Sequence, residues 1–102
     1  MAARAYALDA EAERELDEAV VVLEGTRPDR GMEFLEALES TLLMICQYPD
    51  IGKKVGRHLR LWAMPDWPYQ IVYSLEGDVI MVWVLAHEKR KPGYWRKRVP
   101  RR

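Results

Sequence analysis

Residues 79–86 read VIMVWVLA and carry no charged side chain. A strand that is apolar on both faces is typical of the middle of a sheet, where other layers cover both sides. The preceding triplet EGD, residues 76–78, has the glycine that a tight hairpin turn requires. Upstream of the turn, YQIVYSL at residues 69–75 has the β-branched and aromatic composition of a second strand. The two segments predict the centre of an antiparallel sheet.

The segment before these strands predicts one further strand. Residues 57–64, RHLRLWAM, alternate with a period of two, which places Leu59 and Leu61 on the same face. DIGKKVG, residues 50–56, predicts a loop because it contains two glycines. Residues 3–8 carry a weaker strand signal. We therefore expect a sheet of three or four antiparallel strands.

The amino-terminal half predicts two helices. Residues 9–24 repeat apolar side chains at the spacing of one helix face, with Asp9 as the N-terminal cap and Gly25 as the stop. A second, longer helix over residues 28–48 is expected to begin at a cap involving Thr26. Its apolar stripe contains Leu35, Leu38, Leu42 and Ile45. Because the connection between the helices is short, they are expected to form an antiparallel hairpin.

These elements predict a single α+β domain over residues 1–102. The helical hairpin would pack on one face of the sheet, and the other face would stay open to a partner. A short basic segment would follow the last strand, since eight of the residues in 86–102 are Lys or Arg.

The zero net charge conceals a strong asymmetry along the chain. Residues 1–50 hold 12 acidic and 4 basic residues, whereas residues 51–102 hold 4 acidic and 12 basic residues. A basic half of this kind favours a polyanion or an acidic protein as partner. The charge asymmetry is equally consistent with two solvated surfaces of opposite sign that stabilise each other.

Composition limits the class of protein further. The sequence contains no apolar run long enough to cross a membrane, and its first residues lack the apolar core of a signal peptide. Cys46 is the only cysteine, so an internal disulfide is excluded. The sequence therefore predicts a cytoplasmic protein.

The order of four segments resembles the RelE/ParE superfamily of small bacterial toxins from type II toxin–antitoxin systems, and within it the ParE-like, plasmid-stabilisation branch. The segments are AEAERELDEAV (residues 10–20), GMEFLEALESTLLMI (31–45), WPYQIVY (67–73) and AHEKRKPGYW (86–95). The first two are generic helices, and the last two are more specific. The resemblance implies a growth-arresting toxin and a cognate antitoxin whose C-terminal segment wraps around it and neutralises it. For the ParE branch it implies DNA gyrase as the target.

RelE-like members of the superfamily instead cleave mRNA on the ribosome. Such cleavage needs a base, cations that hold the phosphate, and an acid. The candidate catalytic residues here are His87, Arg90 and Tyr94. The resemblance also implies an arginine on a middle strand, where this chain reads AMPD, and Asp66 has the wrong charge beside a phosphate. His87 has a structural interpretation as well, as a hydrogen-bonded residue at the end of the sheet.

The remaining basic and aromatic residues are candidates for binding a target or a nucleic acid. They are Lys53, Lys54, Arg57, Arg60, Lys91, Trp95 and Arg96. The pair Tyr94–Trp95 could stack on bases or dock the tail onto the sheet. No histidine–cysteine or acidic cluster predicts a metal site, and no glycine-rich motif predicts a nucleotide cofactor. We expect no cofactor.

Two classes of action follow. The favoured hypothesis is a non-enzymatic inhibitor that binds DNA gyrase, because AMPD lacks the cation that RNA cleavage needs. The alternatives are a ribosome-dependent endoribonuclease of the RelE type and an inactive family member retained as a binding module.

Overall fold

The computed structural model describes residues 2–100 as a five-stranded mixed sheet with two helices. The strands are β1 (Ala5–Leu8), β2 (Lys53–Lys54), β3 (Arg60–Ala63), β4 (Tyr69–Glu76) and β5 (Val79–His87). The helices are α1 (Ala10–Thr26) and α2 (Arg30–Gln47), which follow β1. The strand order is β1-β5-β4-β3-β2. The α+β class, the helical hairpin and the central apolar strand are confirmed.

The sheet has more strands than the three or four predicted. β1 pairs in parallel with β5, from Ala5 opposite Val79 to Leu8 opposite Val82, so the sheet is not purely antiparallel. Lys53–Lys54, within the predicted loop, pairs with β3. β1 is the strand that residues 3–8 weakly predict, and β2 is the addition. Both are very short, and such strands are specified by their neighbours more than by a pattern of their own.

The helix boundaries also differ in detail. Asp9 caps α1 as predicted, because its Oδ1 accepts a hydrogen bond from the Ala12 amide at 2.8 Å. The helix continues through Gly25, and the Thr26 hydroxyl donates back to the Leu23 carbonyl at 2.6 Å instead of capping α2. The predicted cap at Thr26 is therefore wrong.

Glu24 performs the capping role for α2. Its carboxylate accepts the amides of Asp29 at 2.8 Å and Gly31 at 2.9 Å, at the start of that helix. The intervening turn places Asp29 in the left-handed region, with φ 69°. The connection between the helices is held by an acid of α1 that reaches across it.

The larger core lies between the helices and the sheet. From α2 it takes Phe34, Leu38, Leu42 and Ile45, and from the sheet Ile71, Tyr73, Ile80, Val82 and Leu85. Three of the four residues of the predicted α2 stripe are buried, and Leu35 is half-buried. The stripe thus packs where the periodicity placed it.

The opposite face of the sheet is not open, contrary to the prediction. A second cluster joins Val72, Val84 and Ala86 of the sheet to Trp95 and Val99 of the C-terminal segment. The chain turns back after β5 and lies on this face, because strands that are apolar on both sides need a second cover. No helix in residues 2–100 has the length and apolar content to span a bilayer.

Candidate target-binding surface

The C-terminal segment is fixed to the fold by Glu15, an acid of α1 that is 8% exposed. Its Oε2 accepts the Tyr94 hydroxyl at 2.5 Å and Arg98 Nη1 at 3.0 Å. Its Oε1 accepts Arg98 Nη2 at 2.6 Å and the Leu85 amide at 3.0 Å. A buried carboxylate with this many donors is well satisfied, and the bidentate pairing with Arg98 fixes the geometry of the tail.

The same network protects an exposed strand edge. β1 pairs with β5 only as far as Val82, so the edge of β5 beyond that residue has no neighbouring strand within residues 2–100. Glu15 accepts the Leu85 amide there, and Arg98 Nη2 donates to the Trp83 carbonyl at 2.8 Å. Side chains thus satisfy backbone groups that would otherwise offer a pairing edge.

The electrostatics of the network are set by burial and hydrogen bonding. Burial alone would raise the pKa of the Glu15 carboxyl, but hydrogen bonds from Arg98, Tyr94 and the Leu85 amide outweigh it and lower that pKa. Burial, and then the hydrogen bond to Glu15, raise the pKa of Tyr94 to about 12. Tyr94 is therefore a neutral hydrogen-bond donor near neutral pH.

The three candidate catalytic residues lie in one region, but each has a structural contact. His87 Nδ1 accepts the Lys89 amide at 3.1 Å, and its ring meets the Tyr69 ring edge-on with centroids 5.2 Å apart. The Arg90 guanidinium lies 4.0 Å from the centre of the Tyr94 ring. Of the three, Arg90 is exposed, and His87 and Tyr94 are half-buried.

Trp95 occupies a different environment from the one expected of a target-binding residue. It is 4% exposed and belongs to the cluster on the tail side of the sheet. Arg96 covers it, with the guanidinium 4.8 Å from the ring centre and Nη1 donating to the Val55 carbonyl at 2.8 Å. Trp95 anchors the tail, as the docking interpretation predicted.

Several predicted binding residues form one exposed basic surface around this anchor. Lys53 pairs with Leu61, whose side chain packs in the tail-side cluster, so Lys53 lies on that face too. Lys91 and Lys97 are exposed on the tail itself. We call this set the basic tail surface; it comprises Lys53, Lys91, Arg96 and Lys97.

The other predicted binding residues lie apart from it. Lys54 pairs with Arg60, which pairs with Tyr73 of the helix-side core. Lys54, Arg57 and Arg60 line a cleft of about 380 Å³ next to the loop that follows α2. The structure therefore divides six of the seven predicted binding residues between two exposed places and buries the seventh, Trp95, in the tail-side cluster.

Glu15 and Arg98, which organise the tail, were missed at the level of sequence. A signal was present, since Glu15 shares a helix face with Ala12, Ala19 and Leu23, which are all buried. An acid on an apolar helix face needs a buried partner. No cluster of histidine, cysteine or acidic residues able to hold a metal ion occurs among residues 2–100.

Comparison with solved structures shows a known fold. The chain is similar to one described as "Chromosomal ParDE TA system from P. aeruginosa", with a TM-score of 0.70 and 13% sequence identity. The similarity covers 81% of this chain and 92% of that one. At this identity the match establishes the fold alone. No curated protein matches the sequence.

The sequence itself establishes the family. Residues 6–92 match the family described as "ParE toxin of type II toxin-antitoxin system, parDE". The chain belongs to this ParE toxin family, and the resemblance to the RelE/ParE superfamily is confirmed.

Proposed function

We propose that this toxin inhibits DNA gyrase by binding it through the basic tail surface, and that a cognate antitoxin neutralises it. The observation that carries the proposal is the fixed tail. Trp95 and the Glu15–Arg98 pair hold the segment against the sheet, and its Lys91 and Lys97 side chains are exposed to solvent. A preorganised charged surface suits recognition of a partner, because little entropy is lost on binding.

The chemistry of the region supports binding over RNA cleavage. A general acid or base needs a pKa near the working pH, whereas Tyr94 has its pKa raised to about 12. Its hydroxyl already donates to Glu15, and His87 Nδ1 is engaged by the backbone. The geometry that favours the endoribonuclease is the contact between Arg90 and the Tyr94 ring, which puts a cation beside a phenol.

A separate surface suits the antitoxin. An apolar groove of about 330 Å³ lies between α2 and β1, lined by Tyr6, Leu8, Leu35 and Leu42 among others. Met32 also lines it and is largely exposed. Because the tail covers the sheet face, this groove supports the docking of an amphipathic antitoxin segment.

Titration of purified gyrase with tail variants in a supercoiling assay tests the proposal. Lys53→Ala and Lys91→Ala should each weaken inhibition by about two- to fivefold, since exposed charges are individually worth little. His87→Ala should inhibit as the parent does. Arg14→Ala, which removes an exposed cation from α1, is the matched control and should have no effect. Unchanged inhibition by the Lys53 and Lys91 variants would contradict this surface as the gyrase contact.

A further inference from the structure

The cleft beside the loop after α2 has features of a binding site that the proposed gyrase contact does not use. Among the side chains that line it, four are basic, Lys54, Arg57, His58 and Arg60, and one is acidic, Asp50. Its volume of about 380 Å³ falls in the range of small-ligand pockets. Its Lys54, Arg60 and Tyr73 side chains lie on the helix side of the sheet, whereas Lys53 of the basic tail surface lies on the other side.

One wall of the cleft is rigid. The Tyr73 hydroxyl donates to the Pro49 carbonyl at 2.7 Å and accepts the Gly52 amide at 3.0 Å. Arg60 Nη1 donates to the carbonyls of Asp50 at 3.1 Å and Gly52 at 2.8 Å. The backbone of residues 49–52 is thus held by hydrogen bonds with Tyr73 and Arg60, which are paired with each other on adjacent strands.

The close approach of this loop depends on a glycine. A β-carbon at Gly52 would lie 2.8 Å from the Tyr73 hydroxyl oxygen and 3.0 Å from Arg60 Cβ. These distances leave no room for a side chain. The sequence therefore specifies the conformation of this loop, which forms one wall of the cleft.

We infer that this cleft binds a phosphate-bearing anion, with Lys54, Arg57, His58 and Arg60 as the recognising groups. Phosphate oxygens accept several charged donors at once, which matches a cleft lined by Lys54, Arg57 and Arg60. Tyr73 lines the cleft but is 1% exposed, so its ring is not available for stacking a base, and the charged side chains dominate the lining. Recognition therefore rests on the phosphate group, whether it is free or part of a nucleic-acid backbone.

A substitution of Asp50 can distinguish a specific phosphate site from general attraction to a basic surface. Its carboxylate is 92% exposed and lies 3.6 Å from Arg60 Nη2, so it competes with an anion for that guanidinium. The Asp50→Asn substitution removes the competing charge and leaves the backbone carbonyl that Arg60 uses. It should tighten phosphate binding while the fold is unchanged.

Calorimetric titration of the purified full-length chain with pyrophosphate, in about 0.15 M salt, is the direct experiment. Arg57→Ala and Lys54→Ala should each weaken binding about fivefold or more, because a charged hydrogen bond is lost. Both side chains are exposed, so folding is not at risk. Lys97→Ala is the matched control, since it removes an exposed cation outside the cleft, and should change affinity less than twofold.

Two further probes, an oligonucleotide and an acidic peptide, identify which kind of ligand the cleft prefers. If a single-stranded oligonucleotide of about four nucleotides displaces pyrophosphate, the backbone of a nucleic acid is the ligand. If pyrophosphate binds and the oligonucleotide does not displace it, a free phosphate compound is the ligand.

The inference is overturned if neither pyrophosphate nor the oligonucleotide saturates the protein, if Lys97→Ala weakens binding as much as Arg57→Ala, or if Asp50→Asn fails to tighten binding. A short oligoglutamate peptide that binds more tightly than pyrophosphate and the oligonucleotide would also overturn it, in favour of an acidic protein segment. None of these outcomes depends on gyrase inhibition, which the supercoiling assay tests separately.

Discussion

Replacing Glu15 by Ala should release the C-terminal segment from the sheet. The substitution removes the acceptor for the Tyr94 hydroxyl, the Leu85 amide and both terminal nitrogens of Arg98. Removal of one partner from a buried ion pair costs about 3–5 kcal/mol, because the remaining charge stays buried and unpaired. The Arg98 side chain retains 24% exposure, so water can partly replace the lost partner. We therefore expect a loss of about 2–4 kcal/mol in the free energy of unfolding.

Urea denaturation followed by tryptophan fluorescence measures this loss, since Trp95 reports on the docked tail. Glu18→Ala is the matched control. It lies on the same helix and its ion pair with Arg14 is exposed, so stability should be nearly unchanged. Proteolysis within the tail should accelerate for the Glu15 variant and not for the control.

A double variant separates the ion pair from the helix itself. Replacing both Glu15 and Arg98 by Leu removes the unpaired charge, so it should recover part of the stability that Glu15→Ala loses. A loss below about 0.5 kcal/mol in the single variant would refute the reasoning, because it would show that the tail does not depend on this carboxylate.

Three further outcomes are expected. Because the pKa of Glu15 is lowered on folding, its stabilising effect should be fully present above its ordinary value of 4.5 and be lost as pH falls through the folded value; Glu15→Gln should remove this part of the pH dependence of unfolding. Gly52→Ala should destabilise by about 1–3 kcal/mol through overpacking in thermal unfolding, whereas Gly25→Ala, in open space within α1, should stabilise by about 0.5–1 kcal/mol. Leu38→Ala, at 4% exposure, should cost about 2–5 kcal/mol in chemical denaturation, and Leu43→Ala, at 57% exposure, should cost under about 0.5 kcal/mol.

The helices and central strands could be predicted because their signals are long and periodic. The apolar stripe of α2 extends over several helical turns, and the apolar run of β5 extends over most of a strand. Patterns of this length identify the element without any knowledge of its tertiary contacts. The four residues of β1 have no comparable signal. Their pairing with β5 depends on a chain reversal through both helices, which no local window contains.

The sequence could identify the basic residues of the candidate site, but not where each of them lies in the folded protein. The basic residues were found from charge alone, and the sequence could not show that Lys54 and Lys53 face opposite sides of the sheet. Glu15 and Arg98 were missed because they are 83 residues apart and meet only after the tail folds back. For Trp95 the sequence left stacking on bases and docking on the sheet both open, and only the folded tail shows it buried on the sheet.

The most direct test of the proposed function is induction of the chain in cells that lack its antitoxin, with plasmid supercoiling and mRNA integrity measured in the same arrested culture. We predict loss of negative supercoiling with intact mRNA, and the same result for the His87→Ala variant. Cleaved ribosome-bound mRNA with normal supercoiling, abolished by His87→Ala, would contradict gyrase inhibition and establish the endoribonuclease instead.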